Sequence, residues 1–217
     1  MKCVAVAVLL SVVSLGSSAP SSSCDSLLKP VIISKEDLLG RWLHIGSSSD
    51  IPGSRSLGHM TDDLWFNISE TTQSDVLNII QAQRMSGECF TFVYNVTFEN
   101  STVTMEHPFY MKEVFLATDS PDSLVSYGKI FLGKNTFTSL YLSSRRRSVS
   151  PAAVEILKKQ AECLRLPSPM MLSSTHEMCP DTFQDSWGLD ALLPFLTDNV
   201  VNRVARLMDT IFDIFVN

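Results

Sequence analysis

Phe90-Thr91-Phe92-Val93-Tyr94-Asn95-Val96-Thr97-Phe98 is the stretch that decides the fold. Its large apolar residues recur at every second position, the period of an extended strand, so Phe90, Phe92, Tyr94, Val96 and Phe98 share one face. Asn95 heads the sequon Asn95-Val96-Thr97 and lies on the other face. A glycan needs a solvated attachment point, so the aromatic stripe is directed inward. Most such stripes are simply packed core, but a barrel of eight strands also leaves room for one small ligand.

Outward from this strand the pattern repeats. Short alternating runs at 60–68, 76–84, 103–109, 112–118, 124–132 and 136–142, with a strand at Trp42, bring the count to eight, separated by short polar turns. No helical periodicity is visible between Trp42 and Leu142. Short links make an up-and-down antiparallel meander in which each strand pairs with the next. A flanking helix follows: Ser150 is its N-cap, Pro151 its first residue, Val154, Leu157, Ala161 and Leu164 its apolar stripe, and Pro167 its stop.

The remaining features concern destination. Lys2, an apolar run over Val4–Val13 and the small residues Gly16, Ser17, Ser18 and Ala19 have the layout of a secretory signal peptide, assigned to 1–19. The run is too short to span a bilayer as a helix. Its removal takes Cys3 and leaves Cys24, Cys89, Cys163 and Cys179, an even set that in an exported chain implies two disulfides with three possible connectivities. Sequons at Asn67, Asn95 and Asn100 become meaningful in the same compartment. A net charge of -6 with 18% charged residues excludes a nucleic-acid binder held by phosphate contacts.

Gly40-Arg41-Trp42 ahead of the first strand, eight strands and a helix after the last one resemble a lipocalin. Cys89, Tyr94-Asn95-Val96-Thr97, Glu99-Asn100-Ser101-Thr102, Ala161-Glu162-Cys163-Leu164-Arg165-Leu166-Pro167 and Met178-Cys179-Pro180 are similar to the alpha-1-acid glycoprotein (orosomucoid) group. Within it they look closest to the fish plasma proteins that bind saxitoxin and tetrodotoxin, or tributyltin. The resemblance covers 24–181 and implies bridges Cys24–Cys163 and Cys89–Cys179. It also implies a secreted plasma glycoprotein that carries a small hydrophobic or amphiphilic molecule (a lipid, toxin or xenobiotic) in its calyx. Tyr141 matches a calyx tyrosine of that group, whereas Met105 stands where the group has an interior arginine. Phe92, Tyr94, Val96, Met105 and Tyr141 are thus the expected ligand contacts, with Gly40 and Trp42 at the closed end.

Catalytic motifs are lacking: no His-Glu-x-x-His, Gly-x-Ser-x-Gly, Cys-x-x-Cys or phosphate loop occurs, and His44, His59, His107 and His176 are scattered. Two bridges leave no cysteine for the thiolate chemistry of lipocalin isomerases. The expectation is a non-enzyme with neither cofactor nor metal. Arg145-Arg146-Arg147 reads as a solvated loop, with an anionic headgroup site at the barrel mouth as the sharper alternative. Glu106 and His107, near Tyr110, could tune the pocket, though a lone strand histidine is usually structural or exposed.

Residues 182–217 form an extension. Leu189, Leu192, Leu193, Leu196, Val200, Val204, Leu207, Ile211 and Phe215 recur at helical steps, giving one or two amphipathic helices broken near Pro194. Docking on the barrel's outer wall is the plainest expectation. Association with a lipoprotein particle or another protein is the alternative function. Few basic residues on the polar face argue against anionic membranes.

Overall fold

The computed structural model describes residues 23–172, 177–181, 186–193 and 197–215. The signal segment, Pro194, Leu196 and His176 lie outside them. Eight antiparallel strands form the expected meander: β1 Gly40–Ser49, β2 Thr61–Glu70, β3 Val76–Met85, β4 Glu88–Glu99, β5 Thr102–Met105, β6 Tyr110–Leu116, β7 Ser123–Leu132 and β8 Asn135–Ser144. β8 pairs back to β1, and β4 pairs with β5, so the sheet closes into a barrel. No strand edge of the meander is left open where these pairings run.

β5 is shorter than its sequence pattern, which runs on to Phe109. It ends at Met105, because Pro108 has no N–H to give a ladder. The β4–β5 seam therefore spans only Thr97–Thr104, Phe98–Val103 and Glu99–Thr102. Beside the upper part of β4, the extension contributes two further residues to the sheet. β10 (Ser186–Trp187) runs parallel to β4 opposite Thr91 and Phe92, and Leu189 follows into the interior core beside Ile79 and Phe92. A second short strand, β9 (Met170–Met171), pairs with β1 at Gly46 and Ser47.

Four short or medium helices decorate the barrel: α1 Cys24–Leu27, α2 Lys35–Leu38, α3 Ser54–Met60 and α4 Pro151–Cys163. α4 begins as its sequence requires, with the Ser150 hydroxyl accepting from Ala153 N–H at 3.0 Å and Pro151 in the first turn. Its Leu157 and Ala161 cover the outward face of Val125, Leu140 and Leu142. Gln160 is fully buried there, and its side-chain amide donates to the carbonyls of Leu27 and Ala117. The bridges join Cys24 to Cys163 and Cys89 to Cys179.

α3 falls where the sequence shows no helical signal. Seven residues rich in Ser and Gly are a poor autonomous helix. It forms because Gly53 can take φ +84° at its N-cap and because a distant carboxylate meets its first N–H groups. That carboxylate belongs to Asp209 on α5 (Asn199–Phe215), the long helix of the extension. α5 lies on α3, with Val201, Asn202, Ala205, Asp209 and Phe212 half-buried on its inner side. His59 stacks on Phe212 with ring centroids 5.3 Å apart, and Arg55 ion-pairs with Asp213.

Candidate ligand site

Residues directly opposite each other in an antiparallel ladder point to the same face. Taking the stripe of β4 as inward, the register carries the interior round the barrel. Val96, Tyr94 and Phe92 oppose Leu77, Ile79 and Gln81; Phe98 opposes Val103; Val103 opposes Glu113; Glu113 opposes Gly128; Gly128 opposes Ser139; Phe115 opposes Ser126, and Ser126 opposes Tyr141. The outward partners in the same strands, such as Val125 and Leu142, lie under α4 instead. A bulge between His44 and Gly46 of β1 resets the alternation, so that Ser47 opposes Tyr141.

The lower end of the barrel is closed. Gly40 adopts φ +90°, and Trp42 is buried, its indole N–H donating to the Leu38 carbonyl at 2.8 Å. Arg145 lies 3.7 Å over the Trp42 ring and donates to the carbonyls of Asp37, Leu39 and Arg41. The basic run is thus a clasp at the closed end, not a headgroup site at the mouth. Arg146 pairs with Asp122. Glu106 and His107 are exposed between β5 and β6, and Tyr110 is exposed at the start of β6.

Inside, the five expected contacts divide in two. Phe92, Val96 and Met105 are covered by one another and by Leu77, Val103 and Phe115, as in a packed core. Tyr94 and Tyr141 lie deep within the protein yet keep part of their surface uncovered, as side chains lining a cavity do. Glu113 does the same between them. No cationic side chain among the described residues pairs with it. Burial pushes the Glu113 carboxyl above the usual carboxylate range, and the Ser126 hydroxyl beside it offsets part of that shift. Burial also raises both phenols, and the nearby Glu113 charge adds to each.

Gly128 allows a close approach: a Cβ there would stand 3.0 Å from the Ser139 hydroxyl, tighter than ordinary contact, and 3.9 Å from Cγ of Glu113. Tyr94 donates from its hydroxyl to Gln81 Oε1 at 3.3 Å, and the Gln81 amide reaches Gln83. His44 stands edge-on to Tyr141 at 5.8 Å, with its Nδ1 buried and unpartnered. Desolvation lowers its pKa to about 4, so the ring is neutral at physiological pH. The inward face combines aromatic rings, one acid, neutral amides and hydroxyls.

Glu113, Gly128, His44 and Gln81 escape a reading that starts the sixth strand at Lys112. The signal available was alternation from Met111, which places Glu113 between Met111 and Phe115 on an apolar face. Asn95 and Asn100 are exposed, Asn95 on the outer face where its side chain accepts from Asn78, and Asn67 is half-buried on the outer side of β2.

Solved structures share this barrel fold. The siderocalin Ex-FABP, described as having dual ligand specificities, superposes with a TM-score of 0.57 over 69% of this chain and 98% of its own, at 19% identity. The bovine lipocalin allergen Bos d 2 gives 0.54, covering 68% and 100%, at 16% identity. This is the lipocalin fold. The odorant-binding protein OBP1 has the same lipocalin barrel, with a TM-score of 0.53, 15% identity and coverage of 65% and 94%. No protein-family model and no curated protein matches the chain. In each comparison about a third of this chain lies beyond the shared lipocalin barrel.

Proposed function

We propose that the protein is a secreted, N-glycosylated lipocalin carrier that takes up a small hydrophobic or amphiphilic molecule and performs no chemistry on it. The reading rests on Tyr94, Glu113 and Tyr141, which are enclosed by the barrel yet only partly covered by their neighbours. An acid held in an aromatic chamber without a protein cation favours an amphiphile whose polar end is neutral or basic. Aromatic rings attract a desolvated cation by roughly 0.5–2 kcal/mol.

The two bridges and the signal-like segment support secretion. The likeness to the alpha-1-acid glycoprotein group supports plasma as the compartment and lipids, toxins or xenobiotics as the cargo. Organic extraction of native protein followed by mass spectrometry tests the proposal. A stoichiometric small molecule is expected, and its absence, together with no displacement of a fluorescent apolar probe, would overturn the reading.

A further inference from the structure

α5 docks through a mixed side and leaves a long apolar seam outward. Val200, Val204, Leu207, Ile211 and Ile214 follow at steps of four, three, four and three residues and so form one straight seam. They are 70%, 54%, 60%, 38% and 67% exposed. Met208 beside the seam and Leu57 on α3 are exposed as well. The opposite side makes the contacts: Asp209 accepts from Gly53 and Ser56, Asp213 pairs with Arg55, and Phe212 stacks on His59.

Charge identifies what suits the seam. All three acids at or near α5 are engaged within the protein, with Asp198 accepting from the N–H groups of Val200 and Val201 at the helix start. Arg203 and Arg206 are exposed and without an acidic partner among the described residues. They border a cleft of about 220 Å³ that Pro52, Asn135 and Phe137 also line, and exposed Lys134 precedes Asn135 in the same turn. The outward side of α5 is therefore apolar and cationic, although the helix's sequence balances its charges.

The seam is about 21 Å long and roughly 10 Å wide. That is well below the roughly 800 Å² each partner gives to a standard protein interface. A bilayer surface demands no complementary shape and accepts a shallow apolar stripe flanked by cations.

We infer that α5 docks the protein on an anionic lipid surface, with Val200, Val204, Leu207, Ile211 and Ile214 entering the interface and Arg203 and Arg206 meeting headgroup anions. α3 and the β7–β8 turn stand at the end of the barrel opposite the Trp42 clasp, so docking brings the barrel mouth to the lipid. That consequence rests on the carrier reading; the docking itself does not.

Flotation of the full, disulfide-bonded protein with phosphatidylcholine vesicles, with and without phosphatidylserine, tests this. Wild type is expected to float with the phosphatidylserine vesicles, more weakly without them and less at raised salt. Leu207→Gln/Ile211→Gln should lower partitioning more than about tenfold while circular dichroism and apolar-probe binding stay unchanged. Arg203→Gln/Arg206→Gln should remove the preference for phosphatidylserine. No flotation of wild type, or undiminished flotation of the apolar variant, overturns docking. So does a concentration-dependent dimer by light scattering that the apolar variant abolishes without any vesicle binding. Flotation without probe binding in solution would refute the carrier reading alone.

Discussion

Asp209 accepts hydrogen bonds from both the backbone N–H and the hydroxyl of Ser56, at 2.9 and 2.7 Å, across 153 residues of chain. A helix N-terminus carries unsatisfied donors and a positive dipole end, and the carboxylate answers both. α3 is thereby capped by α5 and not by its own flanking residue, Gly53. Asp209→Ala should cost about 1–2 kcal/mol, the worth of a lost cap. Hydrogen exchange should rise in α3 and α5 and stay unchanged in β7 and β8. Unchanged protection of α3 would show that the cap contributes nothing.

His44 gives the protein an acid-side weakness. Its folded pKa, about 4, lies below the ordinary 6.5, so between these values the unfolded chain takes up a proton that the folded chain refuses. The stability present above pH 6.5 is lost as pH falls towards 4, at most roughly 3 kcal/mol from this group. Denaturant titrations at pH 7 and pH 4 should show a larger drop for wild type than for His44→Gln.

Glu113 works in the opposite sense. Its raised folded pKa means that its stabilising contribution is full below the ordinary carboxylate value and is lost as pH rises through the folded value. Glu113→Gln should therefore be the more stable protein at neutral and alkaline pH. The same variant should bind a basic amphiphilic probe more weakly and a neutral apolar probe equally well, read by fluorescence titration.

The interior aromatics should separate into two classes. Tyr94→Ala and Tyr141→Ala should weaken probe binding by about 1–3 kcal/mol, the area term of one lining side chain. Phe92→Ala should chiefly destabilise the barrel, by roughly 3–5 kcal/mol, because Phe92 is covered by neighbours. Probe titrations with circular dichroism on each variant measure both effects. Unchanged affinity in both tyrosine variants would mean that the chamber is not the binding site.

Glycans are expected on Asn95 and Asn100. Asn95 is exposed on the outer face, and Asn100 stands in the β4–β5 turn at φ +49°. Intact mass should fall on glycosidase treatment, and Asn95→Gln and Asn100→Gln should each lose one glycan.

Local chemistry made much of this protein legible in its sequence. The period-two stripe at 90–98, the Ser150-Pro151 helix start and Gly40-x-Trp42 at the start of β1 depend on residues a few positions apart, and strands and helix form where those patterns stand. What the sequence could not decide depends on partners far along the chain. Alternation with Met111 and Phe115 puts Glu113 on an apolar face, but only the register that sets it opposite Val103 and Gly128 turns that face inward. The α5 stripe is visible as periodicity, but which way it faces is not, since amphipathicity defines two faces without assigning either to solvent. Asp209 and Asp213 settle that by finding donors on α3, and this leaves the apolar seam outward. Periodicity is a property of neighbours in sequence, whereas orientation is a property of neighbours in space, and only the packed structure supplies those.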